Sequence, residues 1–301
     1  MRFPAALLAL ALAIAPAGAA TVDEALALVT AQKYAEAKAI ADELAAADDP
    51  RALMLLGTLY RDGLGVPQSG EQARQWFAKA AATGDAEAML AYAAILLDDR
   101  TGSVNAAEAA NWLGKSADAG NRDAQYNLGL IHAGYYGAKP EWPRALELFR
   151  QAAEQGLAEA QYQVGLIYLD GNGVAKDNRI AASWLSKAAT KGMPEAALEY
   201  GVLVLRGEGV EKDIAIGVRW LKYAAEHGHP AAQNRLAHVF AAAPSTPQTR
   251  VEAATWNIIA TKGGRADASL DAFMSKLTAD EKMQAEDFAK GFKPKAAIIA
   301  K

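Results

Sequence analysis

Apolar positions along this chain fall into two short helical stripes separated by a turn, and the arrangement returns again and again. In residues 160–192, Ala160, Val164, Gly165 and Tyr168 stand at i, i+4, i+5 and i+8, which is one face of a helix. The run DGNGV at 170–174 then breaks the stripe, its glycines suited to the positive φ values of a tight turn. A second stripe follows through Ala181, Trp184, Leu185, Ala188 and Ala189, and Gly192 stands where a glycine closes a helix. The pattern predicts a helix–turn–helix in which small residues let the helices approach and the Trp fills the gap between them.

The unit repeats at a constant interval. Large aromatics recur at Trp76, Trp112, Trp184, Trp220 and Trp256, with Leu148 in the one place that lacks Trp and Phe149 beside it. Closing glycines recur at Gly84, Gly120, Gly156, Gly192, Gly228 and Gly264, and small residues at Gly57, Ala93, Gly129, Gly165, Gly201 and Ala237. Every interval is 36 residues, so WLSKAATKG at 184–192 and WLKYAAEHG at 220–228 are one phrase written twice. One such unit cannot bury its apolar stripe alone, and units must stack.

The unit reads A-x-x-x-L-G-x-x-Y-x-x-G-x-G-V followed by W-x-x-K-A-A-x-x-G, and it resembles the Sel1-like repeat, a relative of the tetratricopeptide repeat. Residues 52–84 and 160–192 match it almost column by column, whereas the second unit turns through DDRTGSVN, the third through GYYGAKPEWP and the sixth through AAAPSTPQT. The resemblance implies an all-α, right-handed α/α superhelical solenoid of 36-residue helix-turn-helix repeats with capping helices at both ends. Six repeats are expected over 52–264, an N-terminal capping pair over 21–51, and C-terminal capping helices with a tail over 265–301. The flanks keep the phase: Ile40 and Phe292 fall in the Trp column, Asp48 in the glycine column, and Ala268 opens a further first helix. Thr278 and Glu281 make a capping box for the last helix, and the tail from Lys293 is expected to fray, with its AII segment able to swing onto the body.

Composition narrows the setting. Of 301 residues 52% are hydrophobic, and the formal charge of −4 argues against nucleic acid, whose binding needs a basic surface. The first twenty residues run from Arg2 through an apolar stretch, Ala5 to Ala15, to a small-residue exit, the layout of a secretory signal peptide cleaved after Ala19 or Ala20. The apolar stretch is shorter than the about 20 residues a membrane span needs. A periplasmic or secreted protein without a transmembrane segment after signal removal is therefore expected. Cysteine is absent, which excludes disulfides, thiol nucleophiles and thiolate metal sites.

Catalytic chemistry finds no foothold. The four histidines are His132, His227, His229 and His238; His227 and His229 flank a helix stop, where a cation suits the helix end, and no third ligand is near in sequence. No phosphate loop, nucleophile elbow or H-E-x-x-H motif is present, and DGLG and DGNG lack the spaced carboxylates of a calcium loop. Some cysteine-rich members of the family that the repeat resembles are β-lactamases, but Ser183 and Lys187 stand four apart rather than as S-x-x-K. No metal or cofactor is expected, and a binding protein rather than an enzyme. The alternative is an envelope hydrolase, β-lactamase-like or peptidoglycan-acting, or a glycan-binding protein, marked by a deep polar pocket with converging carboxylates.

What remains is surface. The first helices of such solenoids line a concave face, a common binding surface. Their inner positions include Asn127, Gln163, Glu199 and Arg235 as a polar rim beside Leu130, Leu166 and Val202, a strip suited to a peptide or helix laid lengthwise. The aliphatics could equally be ordinary core against their own second helices. In the third unit Tyr135, Tyr136 and Trp142 enter one loop, either as an exposed interface or with Trp142 folded back toward the place of the missing Trp. The expected role is an exported interaction scaffold or adaptor for a protein or peptide, one that regulates an envelope sensor or assembly factor.

Overall fold

The computed structural model describes residues 20–98 and 104–296, so residues 1–19, which carry nearly all of the expected leader, and most of the substituted turn of the second repeat lie outside the described residues. Among the described residues every regular element is helical. The chain divides between Ala124 and Gln125 into two compact bodies. The N-terminal body holds α1 (Val22–Thr30), α2 (Tyr34–Ala45), α3 (Pro50–Asp62), α4 (Gly70–Ala82), α5 (Ala86–Leu97) and α6 (Ala106–Asp118), each packed on the next. Helix α7 (Arg122–His132) crosses the division. The C-terminal body continues with α8 (Trp142–Glu154), α9 (Ala158–Asp170), α10 (Asn178–Thr190), α11 (Pro194–Arg206), α12 (Ile214–Glu226), α13 (Pro230–Ala242) and α14 (Pro247–Lys262). A broken pair, α15 (Asp271–Ser275) and α16 (Ala279–Gly291), ends it.

Local sequence sets where each helix begins and ends. Asp49, Ser69, Asp85, Asn105, Asp177 and Asp213 accept backbone N–H groups of the first turns from N-cap positions, satisfying donors the helix cannot. Helices α6, α8, α10, α12 and α14 close in a Schellman motif: in α10 the Gly192 N–H donates to the Ala189 carbonyl and the Met193 N–H to that of Ala188. Gly192 has φ +88 there, a conformation glycine adopts without penalty. At the N-terminal flank Asp48 makes the same pair of bonds, through its own N–H to Ala45 and that of Asp49 to Leu44, at φ +56.

The packing between paired helices differs from the expectation in one respect. In the first five repeats the residue that fills the gap is the successor of the Trp position, whereas in α14 Trp256 itself is buried. Phe77, Leu113, Phe149, Leu185 and Leu221 are at most 4% exposed. A Cβ placed on Gly57, Gly129 or Gly165 would lie 2.7 Å from the side chain of Phe77, Phe149 or Leu185 respectively. Trp76, Trp112, Trp184 and Trp220 are only partly buried, turned one helical position away. The lysine three residues on lies over the ring: Lys79 at 4.5 Å from Trp76, Lys115 at 4.0 Å from Trp112 and Lys187 at 3.9 Å from Trp184. That cation–π contact accounts for the Lys of the W-x-x-K phrase. In the fifth repeat Tyr223 takes its place, edge-on to Trp220, and donates its hydroxyl to the Gly192 carbonyl.

A glutamine column is a second framework feature. Gln161 and Gln233 are buried and reach back to the Ala153 and Ala225 carbonyls of the preceding helices, each at 3.1 Å. Burial of an amide is tolerable only with such a partner.

At the C-terminal end, a full first helix from Ala268 does not form. A 3-10 turn over Ala268–Leu270 leads into the five-residue α15 instead. The Thr278–Glu281 capping box is present, and Arg250 adds an ion pair to Glu281 at 2.7 Å. Phe292 packs edge-on against Trp256, with ring centroids 5.8 Å apart. Residues beyond it are not frayed through Lys295, which bonds to the Glu226 carbonyl through its N–H and to the Glu226 carboxylate through Nζ. The AII segment from Ala297 lies outside the described residues.

Candidate functional site

In the C-terminal body the same face of α7, α9, α11 and α13 carries a mixed aromatic and polar surface. Gln163 hydrogen-bonds to the Tyr126 phenol, linking α9 to α7. Burial pushes the Tyr126 phenol up to about 12, with the Glu159 charge adding to it. Tyr162 is also pushed up to about 12, by burial and then by Glu199, Glu195 and Asp170. Burial holds the Glu199 carboxyl above the usual carboxylate range, against the pull of the Arg235 guanidinium. Thus Gln163, Glu199 and Arg235 sit on one surface within electrostatic reach of one another or of the tyrosines. Asn127 takes the corresponding place on α7 and is partly buried.

The aliphatic strip is shorter than expected. Leu130 is 8% exposed and belongs to the core with Ala145, Leu146, Phe149, Val164 and Ile167, which corrects its placement in a groove. The reason lies in the substituted turn of the third repeat, because Tyr135 and Trp142 pack on the same cluster. Leu166 and Val202 are partly buried, Val202 against the cluster of Leu198, Leu221 and Leu236.

The three loop aromatics divide. Trp142 is not in the loop; it is the first residue of α8, and its Cβ lies so close to Gly173 that a side chain there would overlap it. Tyr135 is partly buried in the short 3-10 turn over Tyr135–Gly137. Tyr136 is 39% exposed and holds φ +64.

At α13 the chain itself covers part of this first-helix face and leaves Arg235 exposed. Asp267 accepts from Asn234 at 2.9 Å and from His238 Nε2 at 2.7 Å, both residues of α13. Bonds from the Ser269 side chain, His238 and Asn234 hold the Asp267 carboxyl well below the usual carboxylate range. This partner of Asn234 and His238 comes from beyond the repeats, and nothing local in the sequence announces it.

The remaining histidines serve helix ends and turns. His227 donates Nδ1–H to the Tyr223 carbonyl at 2.6 Å and stacks on the Tyr223 ring at 4.1 Å. His229 is the N-cap residue of α13, its imidazole pushed down by burial. His132 pairs with Glu141 at 3.1 Å. Among the described residues no three His, Cys, Asp or Glu side chains converge as a metal site, and no helix is long and apolar enough to cross a membrane.

Solved structures show the same architecture. The chain is similar to a Sel1 repeat protein from Oxalobacter formigenes, at 29% identity over 81% of this chain and 97% of that one, with a TM-score of 0.67. It is also similar to a protective antigen present in uropathogenic Escherichia coli strains that displays an SLR fold, at 26% identity over 92% of this chain and 70% of that one, with a TM-score of 0.54. No curated protein matches it. Sel1 repeats are in general protein-interaction scaffolds without catalytic activity. The Sel1 repeat model matches five successive segments, 50–85, 86–121, 122–157, 158–193 and 194–229, well over half of the sequence, and the chain belongs to the Sel1 repeat family.

Proposed function

We propose that this protein is an exported adaptor that holds a segment of a partner protein along the shared face of α7, α9, α11 and α13. The observation that carries the reading is the character of that face. Tyr126, Tyr162, Gln163, Leu166, Glu199 and Val202 are all partly buried, and Arg235 is exposed beside them. Half-buried phenols, an amide and a carboxyl shifted by burial are groups whose hydrogen-bonding capacity a bound segment can use. Tyr in particular offers large rigid contact area at low entropic cost. Export follows from the leader-like first twenty residues, and an envelope sensor or assembly factor is the kind of client this setting supplies.

The test is site-specific photo-crosslinking. A benzophenone side chain at Gln163 or Glu199, expressed in the full-length chain, captures one defined envelope protein, while the same group at Lys187 on a second helix does not. Equal capture from both places, or none from either, overturns the reading.

A further inference from the structure

A cavity of about 960 Å³ opens between α12, α14 and α16, outside the first-helix face. Its floor is apolar: Val251, Trp256 and Ile259 line it and are buried, and Phe292 stands edge-on to Trp256 at its side. Phe288 lines it from α16 and is 66% exposed. The closing helix of a stack is ordinarily polar on its outer side, and here Phe288 extends the apolar lining of the cavity onto that side.

The rim is polar and its cations outnumber its anions. Lys222, Lys293 and Lys295 face Glu226 and Glu252. Glu226 is neutralised by Lys295 at 2.6 Å and Glu252 accepts a hydrogen bond from Gln248. Lys222 and Lys293 have no ion-pair partner among the described residues. The volume lies at the upper end of the roughly 300–1,000 Å³ of small-molecule sites, and one side is open, which suits a length of polypeptide more than an enclosed ligand.

We infer that this cavity is a second docking site, which takes a short amphipathic, acidic segment of another protein. Bulky apolar side chains of that segment lie on Trp256, Phe288 and Phe292, and its carboxylates meet Lys222 and Lys293. The first contact supplies most of the affinity and the second steers approach and orientation.

The probe is a phage-displayed library of random dodecamers selected against the mature protein, followed by fluorescence anisotropy with the consensus peptide. The selected peptides carry paired aromatic or aliphatic residues together with Asp or Glu. Phe288→Ala weakens the consensus peptide at least about tenfold, as truncating an interface anchor does. The double variant Lys222→Glu, Lys293→Glu weakens it at least as much, about tenfold, and reverses its salt dependence, because added salt now screens a repulsion. Both variants melt within about 1 °C to 3 °C of the parent, because substitutions at exposed positions cost little. Leu166→Glu, on the first-helix face, leaves this peptide's affinity unchanged. The inference is overturned if no peptide is enriched, if the consensus is basic or lacks charge, or if the three cavity substitutions leave binding unaltered. It is overturned as well if Phe288→Ala abolishes a self-association seen by sedimentation, which makes the occupant a second copy, or if dodecanoate binds there and peptides do not.

Discussion

Gly165→Ala should change sign according to what stands at residue 185. A Cβ on Gly165 would lie 2.7 Å from Leu185 Cγ and 2.8 Å from its Cδ2, with Ala181 O at an ordinary 3.4 Å. Overpacking of this kind costs about 1–3 kcal/mol. Replacing glycine inside α9 by alanine returns up to about 1 kcal/mol of helix propensity. The single variant is therefore expected to be destabilised by about 1 kcal/mol. Leu185 itself is 0% exposed, and Leu185→Ala should cost about 3–4 kcal/mol in transfer and cavity terms. In that background the obstructing Cγ and Cδ2 are gone, so Gly165→Ala fills space and keeps its propensity gain, stabilising by about 1 kcal/mol. The cycle thus carries a coupling energy of about 2 kcal/mol, measured by urea titrations of the four proteins. Trp184→Ala provides the internal comparison. A fully buried Trp costs about 3–5 kcal/mol on truncation, but Trp184 is partly exposed, so about 2 kcal/mol is expected, including its contact with Lys187. A coupling below about 0.5 kcal/mol, which is the scatter of additive pairs, or a Trp184→Ala cost above that of Leu185→Ala, refutes this view of the interface.

Further outcomes follow from other positions. Gly209 holds φ +74 and a Cβ there would run into the Asn178 and Arg179 backbone, so Gly209→Ala should cost more than about 2 kcal/mol; Gly84→Ala, at φ +90 in open space, should cost only the left-handed penalty of about 1–2 kcal/mol. Glu199 has a carboxyl raised by burial, so its ionised form weakens the fold at neutral pH and the loss sets in as pH rises past the ordinary glutamate range. Glu199→Gln should therefore raise the melting temperature near neutrality and lose that advantage in acid. Asp267, held low by its hydrogen bonds, works in the opposite sense: its contribution is present above the ordinary aspartate range and lost as pH falls, so Asp267→Asn should melt early at neutral pH and match the parent in strong acid. N-terminal sequencing of the protein recovered from the envelope should begin at Ala20 or Thr21, and an intact Met1 in the cytoplasm contradicts export.

The architecture was legible because the same physical problem is solved every 36 residues, and repetition separates framework from accident. The columns at Gly165, Trp184 and Gly192 needed only periodicity and glycine's tolerance of positive φ to read. Periodicity did not decide which of two adjacent apolar residues enters the interface. Trp184 and Leu185 differ by one helical step, and only the rotation of α10 on α9 sends Leu185 inward. The same limit hid the burial of Leu130, which depends on where Tyr135 and Trp142 go after the turn of the third repeat is rewritten. Contacts between distant segments were invisible for a plainer reason: Asp267 reaches Asn234 and His238 across 33 and 29 residues, and Lys295 reaches Glu226 across 69. No local spacing encodes them. On the face proposed for binding, the polar residues Gln163, Glu199 and Arg235 followed from helical phase alone, while the phenols of Tyr126 and Tyr162 beside them did not stand out from framework positions.

The most direct measurement pairs a melt with a binding assay on Leu166→Glu, using the partner captured at Gln163 or Glu199. Leu166 lies partly exposed on the shared face of α9, and a carboxylate there must be desolvated without a partner once a segment covers it. The account predicts loss of binding by at least about a hundredfold, since an unpaired charge buried at an interface costs several kcal/mol, with a melting temperature close to the parent's. A variant that melts far below the parent, or one that folds normally and binds as well as the parent, contradicts it.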